Sequence, residues 1–279
     1  MSLLDEVSET ALITIRSRVV ESEKKNPLLR DPAGADLFGK LLEILSGDVR
    51  QRILERKLSP VLTSHIALRA RKYDRLCLEF LEAYPDGIIV NLGCGFDTRF
   101  WRLGAGSGQY VELDLPAVIG LKRELLGKKM PYRTMAGSVL EPGWIGEVKE
   151  IRRDRVLFIA EGLFMYLPRE QVIHTLQEIA GSFTGSRLVM EVVAEKYTRG
   201  FRRRMVERKM RKGAGSTAGD YYRFGIRRAE DLETFHDGYR LRGEWSYFED
   251  PDIKPAFLKL FRYSRALSKT QYTVIADIS

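Results

Sequence analysis

Histidine and cysteine are scarce in this sequence, which limits the chemistry that it can encode. The 279 residues include two cysteines, Cys77 and Cys94, and three histidines, His65, His174 and His236. Their spacing fits neither a zinc site, a disulfide framework nor a Ser-His-Asp triad. We therefore expect no metal, structural histidines and a reducing cytoplasm as the location.

Long apolar runs are also missing. A membrane-spanning helix needs roughly 20 consecutive apolar residues, and no such run occurs. The N-terminal stretch "MSLLDEVSETALITIRSRVV" has neither a basic leader nor a small-residue cleavage site. The sequence thus predicts a soluble, unexported protein with one catalytic core and an appended helical region.

The positive charge is local. Of the net charge of +8, most lies in "KYTRGFRRRMVERKMRK", residues 196–212, where nine positions are Lys or Arg and Glu207 is the only acid. Three interpretations are open: a solvated helix, a lid over an anionic substrate, or a face that binds polyanions. The run has no RNA-binding aromatic signature, which disfavours nucleic acid. The segment that follows, "RKGAGSTAGD", has the composition of a flexible lid.

Hydrophobic periodicity divides the chain into two regions. To about residue 82 the apolar spacing is helical. From residue 83 onward, seven short β-rich runs alternate with helical ones: "IIVNL", "QYVELDL", "YRTMAG", "RVLFIAEGL", "RLVMEVVA", "LRGEWSYF" and "TQYTVIADI". This order predicts a Rossmann-like α/β fold, a seven-stranded and mostly parallel sheet with helices on both faces, with the later strands at its edges. We expect a helical cap over residues 1–82, a catalytic domain over 83–279 and a lid insertion around 196–225.

The stretch "VNLGCGFDTRFWRL" places Gly93 and Gly95 directly after the first predicted strand. Ligands of open α/β sheets bind at this edge, where glycines let them approach the backbone. The third glycine of a dinucleotide fingerprint is replaced by Asp-Thr-Arg. Glu112 and Asp114 end the second strand, at the distance where an acid binds ribose hydroxyls. These features favour S-adenosylmethionine over NAD.

Three blocks in order, "NLGCGFDTRFWRL", "VELDLP" and "AEGLFMYLP", together with "NPLLRDPAGADL" nearer the start, resemble the leucine carboxyl methyltransferase family, which includes the tetracenomycin-type polyketide O-methyltransferases. The resemblance covers most of the chain and implies a class I methyltransferase fold. It also implies that an Arg ahead of the first strand meets the cofactor carboxylate; "ALRARKYDR" offers Arg71, with Arg69 as the alternative. It assigns the ribose to Asp114 and a site glutamate to Glu161.

Thirteen residues are thereby predicted to form the cofactor site. They are Arg71, Asn91, Gly93, Gly95, Asp97, Thr98, Arg99, Glu112, Asp114, Leu115, Ser138, Val139 and Glu161. Two of them depart from the family, because Ser138 and Val139 replace the Asp-Leu pair that contacts adenine in the protein-directed members. A serine can still accept a hydrogen bond from the adenine amine, though without charge.

Methyl transfer from a sulfonium needs alignment in a dry pocket more than it needs a protein nucleophile. A carboxylate acceptor needs no base, whereas a phenol with a pKa near 10 would benefit from one, and the sequence identifies none. We therefore expect an O-methyltransferase acting on a carboxyl or hydroxyl group of a small anionic or aromatic acceptor, with Tyr166 as a candidate pocket wall. Two alternatives remain: carboxyl methylation of a protein C-terminus, and a non-catalytic or nucleic-acid-binding relative that uses the basic run.

Overall fold

The computed structural model describes residues 9–214 and 222–279. Its helices are α1 (Glu9–Ser22), α2 (Pro32–Ile44), α3 (Gly47–Glu55), α4 (Pro60–Ala83), α5 (Arg99–Leu103), α6 (Pro116–Leu126), α7 (Gly143–Ile151), α8 (Arg169–Ser182), α9 (Gly200–Ala214) and α10 (Arg265–Ser268). Its strands are β1 (Ile88–Leu92), β2 (Tyr110–Asp114), β3 (Arg133–Ala136), β4 (Val156–Ala160), β5 (Ser186–Val193), β6 (Tyr239–Trp245) and β7 (Gln271–Ile278). Each strand overlaps a run that the sequence predicted, although β5 begins one residue and β6 two residues before its run.

The seven strands form one sheet in the order β3-β2-β1-β4-β5-β7-β6. All neighbours are parallel except that β7 runs antiparallel to both β5 and β6. The mostly parallel sheet is therefore confirmed. The prediction that the later strands lie at the edges is correct for β6 and wrong for β7, which pairs on both sides. The opposite edge is β3, whose Arg133 and Ala136 are exposed.

Helices cover both faces of the sheet. On one face the core joins β1, β4 and β5 to α7 and α8, with Phe158 and Phe183 stacked edge to face at 4.8 Å. On the other face, Tyr73 and Phe80 of α4 pack against Tyr110 of β2. β4 is buried at every position, as its continuous apolar sequence predicts for a central parallel strand. Both faces are thus closed, which leaves the carboxyl edge of the sheet for ligands.

The helical N-terminal region is attached to this sheet through α1, α2 and α4. Two of these helices begin with an N-cap residue. Asp31 caps α2 and Ser59 caps α4; each side chain accepts a hydrogen bond from a backbone amide, and proline follows at the first helical position. An apolar cluster then packs α1 and α2 against Phe96 and against α6. Within the described residues, no helix has the length and apolarity to cross a membrane.

The basic run lies largely in α9, which follows β5 after a short 3-10 turn, Glu195–Tyr197. The first four residues of the segment predicted to be flexible, 211–214, belong to α9. Residues 215–220 of that segment, and residue 221 of the expected lid, lie outside the described residues.

Candidate active site

The glycine turn joins β1 to α5 at the carboxyl edge of the sheet. Gly93 and Gly95 both have positive φ, 61° and 50°, which favours glycine over any residue with a side chain. A Cβ on Gly93 would lie 2.6 Å from Cδ1 of Leu163, whereas the nearest atom to a Cβ on Gly95 would be Cβ of Ala11 at 4.0 Å. Of the two glycines, Gly93 serves the packing of the turn, and Gly95 is the one beside open space.

The two acids of β2 have different surroundings. Asp114 lies at the end of the strand, where its carboxylate accepts hydrogen bonds from the amides of Gly95 at 2.6 Å and Leu115 at 2.7 Å. Glu112 is fully buried and bonds to Nζ of Lys122 at 2.7 Å, with both side chains shielded from solvent. The structure therefore places Asp114 at the glycine turn and Glu112 within the core, where its carboxylate neutralises a lysine.

Burial raises the pKa of Asp114, while the hydrogen bonds from Gly95 and Leu115 oppose that rise. Leu115, directly after it, is 51% exposed, an uncommon exposure for a leucine next to a buried strand. An exposed apolar surface beside a strand-end carboxylate suits the base and ribose of a nucleoside.

The Asp-Thr-Arg sequence of the turn is tied into a buried charged network. Thr98 and Arg99 are both 0% exposed. The guanidinium of Arg99 donates to Asp74 at 2.7 Å, to Glu161 at 2.6 Å and to Asp97. The side chains of Thr98 and Arg99 are thus engaged within the protein, and the place of both residues in the cofactor site stays a prediction. They fix the turn, and Arg99 binds three acids, of which Asp97 belongs to the turn itself.

Asp97 is held from two directions. Its carboxylate accepts from the amide of Asn91 at 3.0 Å and from Arg102 at 3.1 Å, in addition to Arg99. Burial raises the pKa of Asp97, but the charges of Arg99 and Arg102 outweigh it, so the pKa lies far below its usual value. Asn91 also donates to the hydroxyl of Tyr110 at 2.9 Å. Asp97 is therefore ionised beneath the turn, and the neutral side chain of Asn91 links it to Tyr110.

Asp31, from the block "NPLLRDPAGADL", connects the N-terminal helices to this network. Its carboxylate accepts from Thr98 at 2.5 Å, Arg18 at 2.9 Å and Arg102 at 3.2 Å, and it is completely buried. The sequence alone predicts no role for Asp31, because its partners lie up to 71 positions away. Removing this acid would take the carboxylate partner from buried Arg18, whereas Arg102 would keep Asp74 and Asp97. Breaking a buried ion pair typically costs about 3–5 kcal/mol.

Arg69 and Arg71 of α4 face different parts of the molecule. Arg69 donates from Nε to Glu161 at 2.8 Å and from Nη1 to Glu191 at 2.8 Å. Arg71, which was the first choice for the cofactor carboxylate, instead bonds to Asp250 at 2.8 Å and lies 2.9 Å from Asp252. The structure therefore places Arg71 away from the turn and Arg69 against the loop that follows β4.

Glu161 follows β4 and lies between two guanidiniums. Burial raises its pKa, but Arg69 and Arg99 outweigh that effect, and the net result is a pKa below the usual value. Gly162, with φ of 68°, comes next, and a Cβ there would lie 3.6 Å from both Nη1 of Arg69 and Oε2 of Glu191. The edge beside Gly162 thus carries an ionised carboxylate and a paired guanidinium side by side.

The segment after β3 has the positions expected to meet adenine. Ser138 accepts from the amide of Leu140 at 3.2 Å, and the carbonyl of Val139 accepts from Nε1 of Trp144 at 3.1 Å. Val139 is buried, while Ser138 is partly exposed. The serine hydroxyl is thus available near the surface, as an uncharged substitute for the acid of the protein-directed relatives.

A second group of side chains, which we name the Glu191 cluster, adjoins Gly162. Its members are His65, Arg69, Tyr166, Glu191, Tyr222, Tyr247 and Gln271. Gln271 donates to Oε1 of Glu191 at 2.6 Å, and Nε2 of His65 lies 4.0 Å from the same oxygen. His65 stacks on Tyr247 at 4.1 Å, and Tyr166 lies 5.7 Å from Tyr222, ring to ring. Polar groups and aromatic rings here converge beside Glu161.

The pKa shifts in the Glu191 cluster leave His65, Tyr222 and Tyr247 as neutral hydrogen-bond donors at pH 7. Burial lowers the pKa of His65 to about 3, assisted by Arg69, so its imidazole is neutral at pH 7. Burial, with Glu191, raises the pKa of Tyr247 to about 12, and burial also raises that of Tyr222. The hydroxyls are therefore protonated near neutrality, and each can donate to an acceptor oxygen.

The sequence identified only Tyr166 of these residues as a pocket candidate. Glu191 lies inside "RLVMEVVA", a run that predicts a buried strand. An acid within such an apolar run was the feature of the sequence that could have identified Glu191 as a candidate site residue. The other two histidines lie elsewhere: His174 is exposed on α8, and Nδ1 of His236 accepts from the amide of Gly238 at 2.9 Å. No metal-binding group of three or more His, Cys, Asp or Glu occurs in residues 9–214 and 222–279.

This arrangement of a glycine turn, a strand-end acid and an arginine at one sheet edge accompanies a clear family match. Residues 11–180 match the model of the leucine carboxyl methyltransferases. The chain belongs to the leucine carboxyl methyltransferase family. The family is one of S-adenosylmethionine-dependent methyltransferases, so the predicted cofactor and enzyme class are confirmed.

Two relatives illustrate the similarity. The S-adenosyl-L-methionine-dependent methyltransferase dpfgK of Gibberella zeae is 31% identical over 191 residues, which cover 66% of this chain and 64% of that protein. The chain thus matches a little under two thirds of the length of that relative. The tetracenomycin polyketide synthesis O-methyltransferase TcmP of Streptomyces glaucescens is 26% identical over 251 residues, covering 90% of this chain and 86% of TcmP.

Solved structures confirm the fold. A DUF574-family protein from Streptomyces avermitilis aligns with a TM-score of 0.57 at 15% identity, covering 99% of this chain and all of that one. A protein from Thermobifida fusca with a proposed methyltransferase assignment aligns with a TM-score of 0.53 at 18% identity, covering 94% of each chain. The predicted Rossmann-like class with N-terminal helices is therefore correct.

Proposed function

We propose that the protein transfers the methyl group of S-adenosylmethionine to an oxygen atom of a small-molecule acceptor held by the Glu191 cluster. The observation that carries the proposal is the contiguity of Glu161, Gly162 and Glu191, which joins the cofactor edge to a group of aromatic donors. The similarity to TcmP, a polyketide O-methyltransferase, over 90% of this chain supports a small acceptor and oxygen as the methylated atom.

The groups at this edge of the sheet can be matched to the parts of S-adenosylmethionine. When bound, S-adenosylmethionine supplies an electrophilic methyl group on a sulfonium. Asp114 would hold the ribose hydroxyls, Arg69 the amino-acid carboxylate, and Leu115 with Ser138 the adenine. Asp97 and Glu161 offer acceptors to the ammonium group. Arg99 acts through both acids, because it donates to each of them and has no exposed surface of its own.

Within this scheme, a carboxylate is the acceptor that the cluster fits best. Protonated Tyr222 and Tyr247 and the neutral imidazole of His65 can donate to an anionic oxygen and align it. A carboxylate is already ionised at pH 7 and requires no base. His65, with a pKa of about 3, is a weak base for a phenol.

A hydroxyl acceptor is the second candidate, and one observation favours it. Nε2 of His65 lies 4.0 Å from Oε1 of Glu191, so a small approach would create an oriented imidazole–carboxylate pair. Such a pair is the common arrangement for accepting a proton from a hydroxyl group.

A matched pair of acceptors separates these candidates. Methyl transfer from radiolabelled S-adenosylmethionine to 2-naphthoic acid and to 2-naphthol is measured from pH 6 to pH 9. A carboxyl methyltransferase gives the ester at a rate that varies little with pH, and His65→Gln keeps most of the activity. A hydroxyl methyltransferase gives the ether at a rate that rises with pH and falls sharply in His65→Gln. The proposal would be refuted if the protein bound S-adenosylhomocysteine but transferred no methyl group to any carboxylic acid, phenol or alcohol in a wider panel.

A further inference from the structure

A cavity of about 520 Å³ opens beyond the ends of β5, β6 and β7. Its wall consists of Ala194, Glu195, Lys196, Arg199, Arg227, Arg228, Glu244, Lys269 and Tyr272. Volumes of roughly 300–1,000 Å³ are typical of sites for small molecules. Five of the nine wall residues are basic and two are acidic, so the wall has three more positive charges than negative ones.

The carboxylates of the wall do not cancel this excess. Glu195 accepts from Arg199 at 3.0 Å and from Arg227 at 2.8 Å, so one negative charge faces two guanidiniums. The hydrogen bond from Arg227 lowers the pKa of Glu195, and the charge of Arg169 nearby contributes to the same direction. Glu195 is therefore ionised, and the region remains positive even with its charge counted in full.

The other acid of the wall is matched by one cation. Nζ of Lys269 lies 2.6 Å from Glu244. Arg228 lies 3.5 Å from the carboxylate of Asp231, a residue outside the wall. That distance is longer than a charge-assisted hydrogen bond. Arg227 and Arg228 are adjacent, and both side chains are more than two-thirds exposed despite these neighbours. Their guanidiniums can thus turn toward an anion in the cavity.

This cavity is separate from the Glu191 cluster. Gln271 and Tyr272 are consecutive residues of β7, and side chains alternate between the faces of a strand. Gln271 contacts Glu191 on the face covered by α4, whereas Tyr272 packs in the core on the face of α7 and α8 and lines the cavity. The end of the sheet therefore lies between the two sites.

We propose that this cavity binds a phosphate-bearing small molecule. Paired arginines present planar donors that match the oxygens of a phosphate, and the lysines add charge without directional demand. A carboxylate would engage one guanidinium, whereas a pyrophosphate group can engage both Arg227 and Arg228. The proposal does not depend on the acceptor chemistry of the Glu191 cluster.

Inorganic pyrophosphate is the probe. Calorimetry on the full chain should detect one saturable site, with inorganic phosphate binding more weakly. Exchanging Arg227→Gln and Arg228→Gln together should weaken pyrophosphate binding about tenfold or more, because two charge-assisted contacts are lost. The matched control exchanges Arg75→Gln and Arg133→Gln, two exposed arginines that are not part of the cavity wall and pair with surface glutamates. It removes the same charge and should change the affinity less than about twofold.

Absence of saturable binding, or equal weakening in the cavity and control variants, would overturn the proposal, since equal weakening indicates attraction to net charge alone. The affinity for S-adenosylhomocysteine should be the same in all three proteins, which keeps this test distinct from that of the methyl transfer. Kinetics then identify the source of the phosphate: competition between pyrophosphate and the methyl acceptor points to a phosphate on the acceptor itself. Pyrophosphate binding without competition points to a second molecule.

Discussion

Arg69 and Arg71 lie two residues apart on α4 and bind carboxylates on opposite sides of that helix. Arg69 reaches Glu161 and Glu191, and Arg71 reaches Asp250. Successive residues of a helix are about 100° apart, so positions i and i+2 cannot share a face. Only one of the two arginines can serve the cofactor edge, and the structure favours Arg69.

The first prediction compares these arginines. Arg69→Lys keeps the charge but loses the planar fork, and we expect the affinity for S-adenosylhomocysteine to fall about tenfold or more. Arg71→Gln on the same helix is the control and should leave the affinity within about twofold. Calorimetry measures both, and thermal denaturation checks that each variant is folded. Normal binding by Arg69→Lys together with weak binding by Arg71→Gln would restore the assignment made from the sequence.

A second prediction separates the two acids of β2. Asp114→Ala should lower cofactor affinity by about 1.5–3 kcal/mol, the usual value of hydrogen bonds to a charged group, and should leave the fold intact. Glu112→Gln should instead lower the free energy of unfolding by about 3–5 kcal/mol, because Lys122 would be left as a buried charge without its carboxylate. Urea denaturation and calorimetry on both variants test this. If Glu112→Gln were as stable as the parent and unable to bind, the ribose contact would pass to Glu112.

The sequence specifies the strands and some site positions, whereas other site residues depend on tertiary packing. The strands were predictable because buried parallel strands are continuous apolar runs, as in "VLFIA". The location of Asp114 beside the glycine turn was predictable, because a residue at a strand end has a fixed edge of the sheet, and its contact with the cofactor stays a prediction. The choice between Arg69 and Arg71 was not, since it depends on how α4 rotates against the sheet. Glu191 and His65 are 126 positions apart, and tertiary packing alone brings them together.

Gly93 provides a third test, in which the physical reason differs from the one that the sequence suggested. A Cβ at this position would meet Leu163 at 2.6 Å instead of the ligand. Gly93→Ala should therefore lower the free energy of unfolding by about 1–3 kcal/mol, from the positive φ and the clash. Gly95→Ala has the φ strain without the clash and should lose less. Adding Leu163→Ala to Gly93→Ala should remove the clash, although it also creates a small void. If Gly93→Ala and Gly95→Ala were equally destabilised, the contact with Leu163 would have no importance.

A fourth prediction concerns pH. The folded protein holds His65 with a pKa of about 3, whereas an unfolded histidine titrates near 6.5. Below that value the unfolded chain binds a proton that the folded chain refuses, so the free energy of unfolding falls as the pH falls from about 6.5 toward 3. At about 1.4 kcal/mol per pH unit, the parent should lose about 2 kcal/mol more than His65→Gln between pH 7 and pH 5. Urea denaturation at both pH values measures the difference. Equal losses in the two proteins would show that His65 has the same pKa in the folded and unfolded states.

The last prediction concerns α9, which we propose acts as a lid over the acceptor. Because α9 follows β5, it leaves the sheet at the same edge as the glycine turn, and it contacts α1 beside that turn. Its exposed face combines Arg202 and Arg204 with two apolar side chains, Phe201 at 80% and Met205 at 52% exposure. A permanently solvated helix gains nothing from those two residues, whereas a closing lid would bury them and exclude water from the reaction.

Arginines on such a lid would attract an anionic acceptor. Replacing Arg202, Arg203 and Arg204 together by Gln should therefore raise the KM for a carboxylate acceptor about three- to tenfold. The KM for a neutral acceptor and the affinity for S-adenosylhomocysteine should change little, because the proposed cofactor residues lie on α4 and at the ends of β1 to β4, and none lies on α9. A control that exchanges Arg75, Arg133 and Arg240 for Gln removes the same charge from other surfaces. If the control raised the KM as much as the α9 variant, or if neither variant changed it, the basic run would be a solvated surface and not a lid.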